Sequence, residues 1–339
     1  MKSVKLICVT AMAIFAFLAM PVLLQAQEQV AKATFFGNNG RIAWKGFLSA
    51  DFTTSAIFSA KPDGGDVQQL TFPDPGVGDD LPDWSPDGST IVFDRNFPNI
   101  GQIYRVNADG TGVIQIGDCT GECLGNDGPT YSPDGEKIAF VKFIGPVRPD
   151  GTATDAGVWI MNADGTDPVQ ITQQQVPTIS EDHQPTWSPN GMQLVFTRIN
   201  LTAKPAGQQA LFIISRDGSD PHRITPWWLN GGGADWSPNG RSIVFQSFRD
   251  CCPNHVSQIY SVRPDGSKLK KLTTGDKNGG RNIEPDWSPD GKKIVFAHQP
   301  GTGANGFADI YEMRANGSGV VPVIRTDLWE SEPDWGTHE

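Results

Sequence analysis

The residues best placed for chemistry are carboxylates that recur at one point of a repeated pattern. Asp79, Asp80, Asp127, Glu181, Asp182, Glu284, Glu330 and Glu332 all stand three to six residues ahead of the aromatic that anchors a copy. Several oxygens converging on one point suit a hard cation such as calcium, or the basic side chains of a peptide. No EF-hand-like spacing narrows that choice, and a solvated acidic rim is the plain alternative. Aromatic residues crowd the same connections: Phe72, the pair Trp227-Trp228, and Trp329. Exposed, they would stack on sugar rings or anchor a peptide; buried, they would be ordinary packing.

His183, His255 and His298 fall in or beside these connections, each in a different repeat, with no His-x-His or His-x-x-x-His pair to hold a metal. A Gly-x-Ser-x-Gly elbow is missing too, so a serine peptidase is excluded. Beyond Cys8, the cysteines are Cys119, Cys123, Cys251 and Cys252. Four allow three pairings, and the nearest-neighbour one staples a loop at 119–123 and forms a vicinal bridge at 251–252. Cross-bridging needs the two loops to meet, and zinc held by four thiolates is disfavoured in an oxidising compartment.

The elements that position these groups follow from the repeat. Leu81-Pro82-Asp83-Trp84-Ser85-Pro86-Asp87-Gly88, followed by Ile91-Val92-Phe93, returns with anchor aromatics at 84, 131, 187, 236, 287 and 335, spaced by 47, 56, 49, 51 and 48 residues. A period near 50 marks a propeller or similar array. In each copy Ser-Pro-Asp-Gly or Ser-Pro-Asn-Gly joins two β-rich runs. Proline presets one φ and glycine takes the left-handed position, so this is a hairpin turn. A second hairpin follows at Asp109-Gly110, Asp164-Gly165, Asp217-Gly218, Asp265-Gly266 and Asn316-Gly317. Four antiparallel strands per repeat, a to d with the aromatic on strand a, make one blade.

Before the first full copy stand a b-like run at Gly40-Arg41-Ile42-Ala43-Trp44, then c and d strands, but no strand a. Pro333-Asp334-Trp335 is a strand a with nothing after it. The expected fold is therefore an all-β, six-bladed propeller spanning 37–339, in which the C-terminal strand pairs with the N-terminal three and removes the exposed edges. The b-to-c and d-to-a connections then share one face, and the acidic residues ring the mouth of a central channel. The anchor tryptophans are expected as wedges between blades.

The Pro-x-Trp-Ser-Pro-Asp-Gly-x-x-Ile-Val-Phe segment resembles the TolB-type β-propeller repeat, over nearly all of the chain beyond residue 36. That resemblance implies the fold firmly and the function less so, because the repeat also occurs in peptidase-linked propellers and in oligogalacturonate lyases, which use histidines around a metal. TolB itself carries an α/β domain ahead of its propeller. Here only a short leader at 27–36 is expected, so a role in the Tol system is not carried over.

Residues 1–26 read as a secretory signal, with Lys2 and Lys5 before an apolar run from Leu6 to Leu24; an uncleaved anchor is the alternative. Its removal would shift the net charge from −11 to −13. So acidic a chain does not suit nucleic acid. The expected protein is a periplasmic or secreted monomer, non-catalytic, binding an envelope protein or polysaccharide through Asp80, Asp127, His183, Trp227, Trp228, Glu284, Trp329 and Glu332, with calcium or another divalent cation possible at the channel. A carbohydrate-active lyase or hydrolase with a metal or acidic site at the mouth is the competing reading.

Overall fold

The structure, a computed structural model, describes residues 37–338 except 50, 98–99, 147–154, 174–179, 204–206, 250–255, 275–279 and 302–306. Cys251, Cys252 and His255, and the expected signal and leader, lie outside the described residues.

Strands account for nearly all of the regular structure. β1 (Asn38–Phe47), β2 (Ser55–Ala60) and β3 (Gln68–Gln69) come first, followed by β4 (Gly78–Trp84), β5 (Thr90–Phe97), β6 (Ile100–Asn107) and β7 (Ile114–Gln115). The next set is β8 (Cys123–Tyr131), β9 (Lys137–Ile144), β10 (Asp155–Asn162) and β11 (Val169–Gln170). Then come β12 (Ser180–Trp187), β13 (Gln193–Asn200), β14 (Gln208–Ser215) and β15 (His222–Arg223). A short 3-10 turn at Trp227–Leu229 leads to β16 (Gly231–Trp236), β17 (Ile243–Ser247), β18 (Gln258–Val262) and β19 (Lys270–Lys271). The chain ends with β20 (Arg281–Trp287), β21 (Lys293–Gln299), β22 (Asp309–Arg314), β23 (Val321–Ile324) and β24 (Glu330–His338).

Each set of four forms an antiparallel sheet in sequence order. The first three strands take their fourth from the other end of the chain, because β24 pairs antiparallel with β1 from Asn38 opposite His338 to Gly46 opposite Glu330. One parallel bridge, Ser55 to Gly78, links that sheet to the next.

The turns are built as their residue types require. In Ser85-Pro86-Asp87-Gly88 the Gly88 amide donates to the Ser85 carbonyl at 2.8 Å, and Gly88 takes φ 67°. The Asp87 carboxylate accepts from the Ser85 hydroxyl at 2.6 Å and the Ser89 amide at 3.0 Å. The Leu-Thr and Ile-Thr pairs have a job as well. Thr71, Thr172, Thr225 and Thr273 each accept, through the hydroxyl, the amide of a residue on the neighbouring third strand at 2.8–2.9 Å, which secures the very short fourth strands.

Hydrophobic packing is between sheets. Val92, Ile103 and Ile116 of one sheet enclose Tyr131, Ile138 and Phe140 of the next, and the same arrangement recurs along the chain. The tryptophans at 84, 187, 236, 287 and 335 are all buried as wedges in these clusters. Val295, Ala297 and Ile310 likewise pack on Ile42, Trp44 and Trp335, so the last sheet packs on the one that both chain ends build.

Candidate functional site

The innermost strands are β4, β8, β12, β16, β20 and β24, and together they line a cavity of about 190 Å³. Along these strands two levels differ in chemistry, and the side chains of Lys45, Asp80, Asp94 and Asp127 lie beyond the cavity lining.

At the level of the anchor aromatics, the residue just before each one ties its strand to the next. Asp83 accepts the Tyr131 amide at 2.7 Å, Asp235 the Trp287 amide at 2.9 Å, Asp286 the Trp335 amide at 2.8 Å, and Asp334 the Trp84 amide at 2.7 Å. Thr186 donates to the Ala234 carbonyl at 2.9 Å, and the Trp187 indole donates to the Thr130 carbonyl at 3.3 Å. Burial pushes the Asp83 carboxyl up to about 7 and Asp235 up to about 6, and it drives Asp286 and Asp334 well above the ordinary range, with neighbouring aspartates adding repulsion. At Gly336 a Cβ would lie 2.6 Å from Trp84, so the last strand fits against the β4 tryptophan only without a side chain.

Two residues further out, each inner strand bulges. Leu81, Gly128, Gln184, Gly233, Glu284 and Glu332 all have φ of 49–55°, a left-handed conformation that turns the backbone amide inward. Those amides need acceptors, and neighbouring sheets supply them. The Leu81 amide donates to Glu332 at 2.7 Å, the Glu332 amide to Glu284 at 2.7 Å, the Glu284 amide to the Gln246 side chain at 3.0 Å, and the Gly233 amide to the Thr197 hydroxyl at 3.1 Å.

The acidic mouth is gathered on one side of this level. Lys45 reaches Asp80 at 3.0 Å and Glu332 at 3.3 Å. Asp80 also accepts from the Ser55 hydroxyl at 2.7 Å and from Asn96 at 3.2 Å. Burial alone would lower the Lys45 pKa, but Glu332 and Asp80 outweigh it and hold the ammonium charged. Burial lifts Glu332 to about 8, with Glu284 and Asp80 adding to the rise against the pull of Lys45. It also raises Asp127 and Glu284, opposed at Asp127 by His183 and at Glu284 by the Glu332 amide.

Asp94 stands out in this group. It is fully buried, Asn96 donates to one of its oxygens, and the other oxygen, Oδ1, has no hydrogen-bond partner among the described residues. Burial and the charges of Asp127, Asp80 and Glu332 drive its carboxyl well above the ordinary range.

Of the residues expected at the site, Asp80, Asp127, Glu284 and Glu332 lie near enough at the mouth for their charges to act on one another, and His183 stands beside them, bonded to Glu181 at 3.2 Å. The tryptophans are not gathered with them. Trp227 packs on Phe212 and under Arg223, which belong to the outer strands β14 and β15. Trp228 is 56% exposed beneath Arg249. Trp329 meets Phe52 edge to face at 5.5 Å, beside the mouth and not in it. Asp79 and Asp182 also leave the group, each held by a two-pronged arginine, Arg95 and Arg198, at 2.6–2.8 Å. His298 bonds to Asn282 at 2.8 Å and packs against Tyr311. Cys119 and Cys123 form a disulfide. Among the described residues no three His, Cys, Asp or Glu side chains are grouped to hold a metal ion.

Lys45, Asp94, Thr197 and Gln246 carry much of the mouth and were not expected there. All four occupy the same place in their repeats, directly after the apolar run of the second strand, a column that aligning the repeats brings out.

The TolB beta propeller domain family matches residues 129–336 of this chain. An uncharacterized protein of Agrobacterium fabrum (strain C58) is 33% identical over 135 residues, which cover 39% of this chain and 40% of that protein. The chain thus spans two fifths of that relative's length. Among solved structures, a putative TolB from Agrobacterium tumefaciens is similar at a TM-score of 0.61 and 21% identity, covering 89% of this chain and 93% of that one. TolB from Acinetobacter baumannii is similar at a TM-score of 0.64 and 18% identity, covering 88% and 67%. These two likenesses concern the fold.

Proposed function

Because the chain belongs to the TolB beta propeller domain family, we propose that it is an exported, six-bladed, non-catalytic propeller whose acidic mouth binds a basic side chain of a partner protein. The six blades are the sheets led by β4, β8, β12, β16, β20 and β24, with β24 completing the blade begun by β1. Export is supported by the apolar N-terminal run and by the Cys119–Cys123 disulfide, which suits an oxidising compartment.

One observation carries the binding reading. A buried carboxylate oxygen without a partner is costly, and native proteins seldom keep one without use for it. Asp94 Oδ1 is such an oxygen, and the charges of Asp80, Asp127 and Glu332 act on it, offset in part by Lys45 and, at Asp127, by His183. An incoming ammonium or guanidinium that displaces the side chains covering Asp94 would satisfy it and relieve the repulsion. A polysaccharide without cationic groups could not, so protein is favoured between the two expected partner classes.

The test is titration of a lysine-containing peptide against wild type and Asp94→Asn at low and moderate salt. Binding that weakens about tenfold in the variant and falls with salt is expected. Equal binding to both proteins would sink the reading.

A further inference from the structure

Phe52 is a bulky residue at φ 59°, a conformation that side chains of its size rarely adopt. It is 46% exposed, so the conformation is not the by-product of burying the ring. The loop that carries it is tightly bonded. The Phe52 amide donates to the Ser49 carbonyl at 3.1 Å, the Leu48 amide to the Thr54 carbonyl at 2.8 Å, and the Thr53 amide to Asp51 and to the Ser49 hydroxyl at 3.2 Å. Glycine would hold the same turn without strain, so the phenyl ring is the part left unexplained by the loop itself. Strain of this kind gathers at ligand-binding positions.

The ring has a definite setting. It meets Phe47 edge to face at 5.2 Å and Trp329 at 5.5 Å, and the Phe47 amide donates to the Trp329 carbonyl at 3.1 Å. Leu48, the next residue along the chain from Phe47, is 40% exposed. The patch adjoins the acidic mouth directly, since the Lys45 ammonium that bonds Asp80 and Glu332 lies 4.7 Å from the centre of the Phe47 ring. Phe52 is therefore one aromatic ring away from the mouth's only described lysine.

We propose that Phe47, Phe52 and Trp329 form the second half of the docking surface, receiving a large apolar side chain of the same partner protein that places a basic residue in the mouth. This rests on the mouth reading above. The occupant is set by charge and reach. The acids select a cation, and the steps of 4.7 and 5.2 Å from Lys45 through Phe47 to Phe52 amount to two or three residues of extended chain at roughly 3.3–3.6 Å each. The recognised segment thus carries a Lys or Arg followed or preceded, at two or three residues, by Phe, Leu or Trp. The rigid aromatic pair is preorganised for it, which limits the entropy lost on docking.

The experiment uses the whole protein and three labelled peptides of one length: one with Lys and Phe two residues apart, one with Ser replacing that Phe, and one with Ser replacing the Lys. Affinities are measured for wild type and Phe52→Gly, with melting temperatures alongside. Wild type is expected to bind the Lys–Phe peptide about tenfold more tightly than the Lys–Ser peptide. Phe52→Gly is expected to lose that preference, bind the Lys–Ser peptide as wild type does, and melt at or above the wild-type temperature because the strain is gone. Equal binding of the Lys–Phe and Lys–Ser peptides by wild type, or a preference that survives Phe52→Gly, would overturn the second contact and leave the mouth reading standing. Failure of both lysine peptides would remove both. Phe52-dependent binding of a neutral oligosaccharide, or Phe52-dependent dimers in sedimentation, would assign the patch to another occupant and also overturn it.

Discussion

The two levels of the channel use the same chemical groups to opposite ends. At the anchor aromatics, Asp83, Asp235, Asp286 and Asp334 each hold a backbone amide of the next strand, and the positions are nearly interchangeable. A few residues outward, almost every strand differs: Lys45 and Glu332 stand on one side, Asp80 and Asp94 next to them, and only Thr197 and Gly233 at the place where β13 meets β16. Repetition with the aspartates bonded to the next strand marks structure; variation, with Asp94 Oδ1 and the Glu330 oxygens left without partners among the described residues, marks a site. Burial raises the pKa at both levels, so a raised pKa alone does not separate them.

The largest effect should come from removing the structural level at its joint. Deleting residues 332–339 takes away most of β24, with Asp334 and Trp335, and bares the edge of β1. Loss of cooperative unfolding, with aggregation seen by light scattering, is expected, a change above about 4 kcal/mol. A truncated protein that melts as wild type does would deny that the chain ends hold one another.

Next is a direct contrast between the levels. Asp286→Ala leaves the buried Trp335 amide without its acceptor and should cost about 1–3 kcal/mol in chemical denaturation. Asp94→Asn removes a carboxylate whose Oδ1 has no partner among the described residues, so stability should hold or rise. The reverse order would collapse the distinction.

Much of this contrast was legible in the chain. Pro-x-Trp-Ser-Pro-Asp-Gly carries its turn and its wedge in one stretch, so the repeated level could be read residue by residue. The mouth was half legible. Asp80, Asp127, Glu284 and Glu332 immediately precede or enter inner strands, and the order of strands alone puts them near the axis. Lys45 and Asp94 lie one residue past the runs ending at Trp44 and Phe93, opposite strands whose bulges fall at Glu332 and Leu81, residue types that give no sign in the sequence of a left-handed φ. Trp227 and Trp228 lie apart from the acidic group because they follow the outer strand β15 within five residues, before the chain reaches the inner strand β16, whereas Trp329 directly precedes β24.

Changing pH should produce a smaller effect spread over both levels. Carboxyls raised in the fold hold protons that the unfolded chain releases near pH 4, so the folded state binds more protons between there and the raised values. Stability must then fall as pH rises from about 5 to 8.5, through the values near 6, 7 and 8 of Asp235, Asp83 and Glu332. A loss of at least about 1 kcal/mol is expected, since a tenfold change in proton affinity on folding is worth about 1.4 kcal/mol. Asp94→Asn should flatten the slope; an unchanged slope would mean that Asp94 ionises as it does in the unfolded chain.

The smallest effect should follow from replacing the aromatic that sequence position favoured and geometry does not. Trp228 is exposed, covered on one face by Arg249, and reached from a turn that follows an outer strand. Arg249 is itself exposed, so the cation and ring are screened by water and their contact is worth about 0.5–1 kcal/mol at most. Trp228→Ser should therefore shift the unfolding free energy by less than about 0.5–1 kcal/mol and leave the affinity for the Lys–Phe peptide unchanged, where Phe52→Gly lowers it. A Trp228→Ser protein that binds less tightly would extend the site outward from the mouth, and the boundary drawn between the two aromatic groups would have to move.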